Sequence, residues 1–153
     1  MHRSYIKNLL CAHIIIYYGT VCYVSCYAIV VTQRKLFTVN EADSVFLIVG
    51  SYSKAQDEGI KVFSFNQQTG GFTYRNGCSG IANPSFLCAS KDGGRIYAVS
   101  EVGGPDASAH SLTFRADDAS LTWTGSSPTH GSAPCHIALS PSENFLYTAN
   151  YMG

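Results

Sequence analysis

Residues 133–151 read APCHIALSPSENFLYTANY, and a closely similar stretch, NPSFLCASKDGGRIYAVSE, occupies residues 83–101. The two stretches align without a gap, and residues 62–65 with their following turn match residues 111–114 at nearly the same spacing. A repeat of about 50 residues that is built from short strands is typical of the blades of a β-propeller or of a similar array. The repeat therefore predicts an all-β fold. Identical residues at equivalent positions include Pro84 with Pro134, Ser90 with Ser140, and Tyr97 with Tyr147.

The distribution of strands and turns fits this interpretation. From residue 44 onward, short apolar or alternating runs are separated by turns that contain Gly and Asn, and no run has the period of a helix. Residues 85–125 hold one complete unit of four antiparallel strands. We predict strands at residues 45–50, 60–65, 71–75, 85–90, 95–100, 110–114, 120–125, 135–140 and 145–149.

Composition restricts the classes of partner. The 153 residues include ten Lys and Arg and ten Asp and Glu, so the formal net charge is zero. Without a basic stripe or an acidic tail, the sequence predicts no nucleic-acid partner. The six cysteines lack the spacing of a zinc site. We expect them, Cys88 and Cys135 included, to be mostly buried apolar residues.

The amino-terminal part of the chain differs in character. Residues 9–32 contain no charged side chain and have basic residues on both sides, which suits a short membrane span or a secretory signal. We therefore predict two regions: residues 1–43 as a signal-like or anchor-like segment, or a non-native extension, with a linker, and residues 44–153 as a partial propeller. If the segment is native, we expect export or membrane contact through residues 9–32. Otherwise it is an artefact or a buried strand pair, and we expect a cytoplasmic protein.

Antiparallel pairing sorts the polar residues between the two ends of the strands. The turns at residues 91–94 and 141–144 fall at one end of the predicted units. Residues 83–85, 100–101 and 134–136, together with Asn150, fall at the other end, where polar groups from successive units converge. We expect the functional site at this second end.

His136 is the leading candidate for chemistry at that end, because an imidazole can take a proton from water near neutral pH. Glu101 is the second candidate, since its carboxylate could orient the imidazole, polarise a water or bind a substrate hydroxyl. The alternatives are a hydrogen-bonded core histidine, a solvated glutamate and an asparagine that only satisfies backbone groups. The sequence contains no serine-hydrolase elbow, phosphate loop or metal-ligand cluster.

Several motifs together resemble the lactonase-type seven-bladed β-propellers, which are the 6-phosphogluconolactonases of the propeller kind. The resemblance covers residues 44–153 and depends on the order of the motifs more than on any single one. It implies blades of four antiparallel strands, about two of a probable seven, after an apolar amino-terminal segment. The motifs are FLIVGSY at 46–52, EGIKVF at 58–63, NPSFL at 83–87, YAVSE at 97–101, PCHIA at 134–138 and ANY at 149–151.

The resemblance implies hydrolysis of a sugar lactone, 6-phosphogluconolactone to 6-phosphogluconate, by attack of water and without metal or cofactor. It implies that His136 and Glu101 are catalytic. In the same motifs, Ser85, Ser100 and Asn150 are predicted to contact the substrate. Ser100 stands where the family usually has Asn before Glu101, which weakens one hydrogen bond of the site without removing its carboxylate.

Residues 44–153 span little more than two units, whereas propellers close with about four to eight blades. We therefore expect a fragment that is inactive by itself and part of a lactonase that is monomeric at full length. Arg75, Arg95 and Arg115 cannot be assigned to a substrate phosphate from their spacing. Two alternatives remain open: a lactone-forming cyclase of the muconate type, and a propeller module that binds or scaffolds without catalysis.

Overall fold

The computed structural model describes the backbone of residues 29–32 and 44–153 and the side chains from residue 45 onward. The predicted signal or anchor at residues 9–32 therefore lies outside the described residues except for its last four. Within the described ranges, no helix is long and apolar enough to cross a membrane.

The described chain forms strands and a single short 3-10 helix, which confirms the all-β prediction. The 3-10 helix is Gly104–Asp106, between β6 and β7. The strands are β1 Ile29–Thr32, β2 Ser44–Gly50, β3 Ile60–Asn66, β4 Phe72–Cys78, β5 Leu87–Ala89, β6 Arg95–Ser100, β7 Ser108–Arg115, β8 Ser120–Pro128, β9 Ser132–Leu139 and β10 Leu146–Met152.

These strands form three antiparallel sheets in chain order. The first sheet is β1-β2-β3-β4, the second is β5-β6-β7-β8, and the third contains β9 and β10. The second sheet is the complete four-stranded unit predicted for residues 85–125. Its first strand begins at Leu87, two residues later than predicted, and the N–H of Ser85 donates to the carbonyl of Asn83 at 2.7 Å.

Strand β1 lies inside the segment that the sequence left open between an anchor, an artefact and a buried strand pair. It pairs with β2 along its whole length, from Ile29 opposite Val49 to Thr32 opposite Phe46. In the first sheet it holds the place that β5 holds in the second sheet. Residues 29–32 are thus strand in the structure, and the alternatives for residues 1–43 stay predictions.

The backbone conformation repeats along with the sequence. Residues with a left-handed backbone recur at equivalent positions of successive units, although their residue types differ. A glycine in one unit is often replaced by a larger residue in the next, so the geometry of the turn is preserved even where glycine is not. The equivalent pairs are Gly70 with Ala119, Gly80 with His130, Asn83 with Ala133, and Gly93 with Glu143.

Strand β6 of the second sheet packs on both of its faces. On β6, Ile96 and Ala98 pack into a core shared with the first sheet, while Val99 packs into a second core that includes Ile137 of β9. Because successive residues of a strand point to opposite faces, one strand serves both cores. Sheets stacked face to face in this way are what a radial array of blades requires.

The cysteines that the structure describes differ in burial. Cys88 is 6% exposed, and its burial raises the pKa of the thiol to about 12. Cys135 is exposed in β9 and was wrongly expected to be buried. Along that strand the adjacent Pro134 is buried instead, so Cys135 faces away from the core.

Candidate active site

Two ends of the sheets can be distinguished by the contacts between units. At one end, the backbone N–H of Lys91 donates to Oε1 of Glu143 at 2.6 Å, which joins the turns of the second and third sheets. At the other end, Tyr52 of the first unit meets Glu101 of the second, and Phe86 of the second meets His136 of the third. The second end is the one where the sequence places the candidate residues.

Glu101 follows β6 directly and is held by its side chain and its backbone. Its Oε2 accepts hydrogen bonds from the hydroxyl of Tyr52 at 2.8 Å and from the hydroxyl of Ser85. Its backbone N–H donates to the carbonyl of Asn83 at 3.1 Å. Within the described chain, Oε1 of Glu101 has no hydrogen-bond partner, so it is available to a water or a ligand.

Asn83 connects the first two sheets beneath this carboxylate. Its Nδ2 donates to the carbonyl of Glu101 at 3.1 Å, and its Oδ1 accepts from the N–H of Ser53 at 3.2 Å. Its own N–H donates to the carbonyl of Ser53 at 2.9 Å. Asn is among the residues that tolerate a left-handed backbone, which explains its presence at φ 47°. Asn83 thus fixes the position of the Glu101 backbone.

His136 lies in β9, opposite Ala149 of β10. Its side chain is exposed, so it is not the buried core histidine of the alternative interpretation. The ring lies on Phe86, with the ring centroids 4.3 Å apart. Among the residues that the structure describes, neither ring nitrogen has a hydrogen-bond partner, and no hydrogen bond joins His136 to Glu101. The imidazole therefore contacts the Phe86 ring at a tilt of 42° and is open to solvent.

Ser100 and Asn150 occupy equivalent positions in the second and third sheets, and each bonds to the backbone before its own sheet. Ser100 is 5% exposed and donates from Oγ to the carbonyl of Ala82 at 2.8 Å. Asn150 donates from Nδ2 to the carbonyl of Thr129 at 3.2 Å. These bonds fit the interpretation in which such residues satisfy backbone groups. Their predicted contact with substrate stays a prediction.

The loop after Glu101 ties this end to the third sheet. The N–H of Gly104 donates to Oγ of Ser132 at 3.1 Å, and the N–H of Ala133 donates to the carbonyl of Val102 at 2.9 Å. Gly104 has φ 74°, a conformation that favours glycine. The loop therefore sets the spacing between Glu101 and the strand that carries His136.

Sequence reasoning missed Tyr52 as a member of this site. It lies two residues beyond β2, in a motif to which no functional residue was assigned, and its partner is 49 residues away in the chain. Its place in the FLIVGSY motif, just beyond the end of a predicted strand, was the only available signal. No group of three His, Cys, Asp or Glu side chains able to hold a metal occurs in the described part of the chain.

A second histidine, His110 of β7, belongs to a separate chain of hydrogen bonds. The indole N–H of Trp123 donates to Nδ1 of His110 at 3.1 Å. Nδ1 is then an acceptor, which leaves Nε2 to carry the proton toward Oγ of Ser108 at 3.0 Å. Ser108 in turn donates to the carbonyl of Asp106 at 3.0 Å. Burial lowers the pKa of His110, which favours this neutral form.

Known proteins share this arrangement of sheets. The family model described as "Lactonase, 7-bladed beta-propeller" matches residues 46–153. The 6-phosphogluconolactonase of Bacillus subtilis (strain 168) is 24% identical over 103 residues, which is 67% of this chain and 29% of the relative.

Solved structures agree in fold. Two candidate 6-phosphogluconolactonases are similar: one from Bacteroides fragilis, with 28% identity and a TM-score of 0.68, and one from Bacteroides uniformis, with 35% identity and 0.67. The matches cover 75% and 72% of this chain, respectively, and 32% of each relative's chain. The periplasmic gluconolactonase of Pseudomonas aeruginosa is 27% identical with a TM-score of 0.64, over 70% of this chain and 31% of its own.

The chain thus spans about a third of the length of these relatives. The family model nevertheless covers every described residue from β2 onward except the first two of that strand. The sequence repeat, the four-stranded second sheet and the matched structures lead to one assignment. This chain belongs to the seven-bladed β-propeller lactonase family.

Proposed function

We propose that the protein hydrolyses a sugar lactone at the end of the sheets that carries Glu101 and His136. The observation that supports the proposal best is the Glu101 carboxylate, held through Oε2 by two hydroxyls while Oε1 has no partner in the described chain. A fixed carboxylate with one open oxygen, at the same end of the sheets as an exposed imidazole, is suited to position an attacking water whose proton the imidazole takes.

The reaction follows from the chemistry of an ester. Water attacks the carbonyl carbon of the lactone, and the bond from that carbon to the ring oxygen breaks. The proton leaves water for a base, which is His136 in this proposal, and then passes to the ring oxygen, which becomes a hydroxyl. Glu101 binds the water or a sugar hydroxyl through Oε1. The product is the open-chain sugar acid.

We propose 6-phosphogluconolactone as the substrate because several relatives carry the name 6-phosphogluconolactonase. The described chain offers little support for a phosphate site here. Arg95 begins β6, whereas Glu101 follows its end about 20 Å away at about 3.3 Å per residue. Arg115 ends β7 close to that same far end and pairs with Asp117. The unphosphorylated lactone, named for the Pseudomonas aeruginosa relative, is therefore a necessary comparison.

The fragment status predicted from the sequence is part of the proposal. The relatives are about three times as long as the part matched here, so we assign the activity to the full-length protein. In this proposal residues 44–153 supply the Glu101 and His136 portion of the site and are inactive when isolated.

His136→Ala tests the proposal in the full-length protein. We expect the rate of lactone opening, corrected for the spontaneous reaction, to fall about 100-fold, within the range for loss of a general base. His130→Ala removes an exposed histidine outside the proposed site and should leave the rate unchanged. If His136→Ala hydrolyses both lactones at the normal rate, the catalytic assignment fails and a binding module becomes the better interpretation.

A further inference from the structure

We propose that Tyr52 is a positioning residue that acts through Glu101, an inference that rests on the proposed function. Tyr52 lies at the end of the first sheet, while Glu101 belongs to the second. The hydrogen bond between them therefore crosses from one unit to the next. It supplies to the carboxylate a contact that its own sheet does not provide.

The geometry assigns different roles to the two oxygens of Glu101. Both hydroxyl donors, from Tyr52 and Ser85, converge on Oε2. A single donor would leave the carboxylate free to pivot about that bond, whereas two donors from different sheets fix its plane. Oε1 then points in one direction and is the oxygen that meets the water or the sugar hydroxyl.

The two hydroxyl donors differ in how far the fold restricts their side chains. Ser85 is 5% exposed, and its N–H is bonded to the carbonyl of Asn83 at 2.7 Å, so its hydroxyl is set by the fold. Tyr52 is 50% exposed and reaches Glu101 from the loop after β2. Removal of the Tyr52 hydroxyl therefore releases one side of the carboxylate without opening a cavity in the core.

The first sheet contains a matched control for this change. Tyr74 of β4 donates from its hydroxyl to Oε2 of Glu58 at 2.9 Å, nearly the same length as the bond from Tyr52 to Glu101. Tyr74 is 48% exposed, close to the 50% of Tyr52. Tyr74→Phe therefore removes an equivalent Tyr–Glu bond from the outer strand of the sheet.

The experiment is a double-mutant cycle in the full-length protein. Tyr52→Phe should lower kcat for lactone opening about tenfold, as expected for one hydrogen bond to a charged group, with KM changed less than about twofold. Tyr74→Phe should match the wild type. In the Glu101→Gln background, Tyr52→Phe should have no further effect on kcat, because a residue that acts only through the carboxylate has nothing left to position.

The outcomes separate the inference from the proposed function. If Glu101→Gln is fully active, the role of Glu101 in the proposed function fails, and the inference falls with it. If Glu101→Gln has a lowered kcat but Tyr52→Phe has the wild-type kcat, only the inference fails. The same holds if Tyr52→Phe lowers kcat equally in the wild type and in the Glu101→Gln background. A fall in kcat of the same size in Tyr74→Phe as in Tyr52→Phe would also contradict the inference. Should the residual rate of Glu101→Gln be too low to measure, the kcat cycle is run in the Glu101→Asp background, whose shorter side chain moves the carboxylate away from Tyr52.

Discussion

One position near the end of the second strand of each sheet serves two different purposes. It is Gly50 in the first sheet, Ser100 in the second and Asn150 in the third. The two polar side chains each bond to a backbone carbonyl, whereas a Cβ at Gly50 would lie 2.1 Å from the carbonyl oxygen of Pro84. The close approach of Pro84 to the first sheet therefore requires glycine.

Gly50→Ala should destabilise the protein because the obstructing atom belongs to the backbone and cannot rotate away. We expect the free energy of unfolding to fall by about 2–3 kcal/mol, as for overpacked core positions. Chemical denaturation followed by circular dichroism measures the change.

Gly103→Ala is the control for that variant. Gly103 has φ −80°, and an added Cβ would come no closer than 3.8 Å to Oγ of Ser132. Its stability should stay within about 0.5 kcal/mol of the wild type. Equal stability of the two alanine variants would show that Pro84 does not confine Gly50.

At the level of elements, the bond from Trp123 to His110 joins β8 to β7. Ser108, which contacts His110, also bonds to Asp106 of the 3-10 helix that follows Glu101. Trp123 donates to Nδ1, so this bond requires an imidazole without a proton there. Protonation of His110 would remove the acceptor. The link between the two strands is therefore sensitive to pH.

The sign of this dependence follows from the lowered pKa of His110. In the unfolded chain a histidine has a pKa of about 6.5, so below that pH the unfolded state binds more protons than the folded state. The contribution of neutral His110 is complete above about pH 6.5 and is lost as the pH falls through the lower folded value. Stability should therefore decline toward acid, and the emission of Trp123, the only tryptophan in the sequence, should change over the same range.

His110→Asn tests this prediction, since its amide oxygen can accept the bond but does not titrate. The pH dependence of the Trp123 emission should disappear in this variant. It should persist in His130→Asn, which changes an exposed histidine whose φ of 56° suits asparagine. An unaltered pH titration in His110→Asn would contradict the assignment.

Short apolar or alternating runs, separated by turns with Gly and Asn, were enough to predict the strands from β2 to β10. The strand ends were less predictable. β8 continues to Pro128, where the residues Gly125 to Pro128 resemble a turn in composition but pair with β7. That pairing is a tertiary contact, which local sequence does not encode.

The candidate site, too, could be predicted from the sequence only in part. Ser85, Glu101 and His136 could be located because the repeat places them at one end of the strands. The partner of Glu101 in the first sheet could not, since contact between Tyr52 and Glu101 depends on how two sheets stack. Nor does the spacing of residues reveal that Ser100 turns toward the backbone.

On the scale of the whole molecule, the first two sheets share one hydrophobic core. Ile48 and Ile60 from the first sheet pack in the same cluster as Leu87, Ile96 and Leu112 from the second. Phe46 also meets Phe114 edge to face, with ring centroids 5.2 Å apart. The two sheets should therefore unfold as one cooperative unit.

Leu87→Ala tests this coupling, since Leu87 is 1% exposed between the sheets. We expect a loss of about 2–5 kcal/mol in the free energy of unfolding, as for buried leucines elsewhere. Amide exchange should then accelerate together in β2, β3, β6 and β7.

Leu146→Ala, at a leucine 36% exposed on β10, is the comparison and should cost less than about 1 kcal/mol. Faster exchange confined to the second sheet of Leu87→Ala would show that the sheets unfold separately.

The central claim is that the end of the sheets with Glu101 and His136 is where a sugar acid or its lactone binds. The most direct measurement is a titration of the isotope-labelled protein with 6-phosphogluconate, followed through its backbone amide signals. We expect the largest shifts at Ser85, Phe86, Glu101 and His136. Shifts centred on the opposite turns at residues 91–94 and 141–144, or no shifts at millimolar ligand, would contradict the claim.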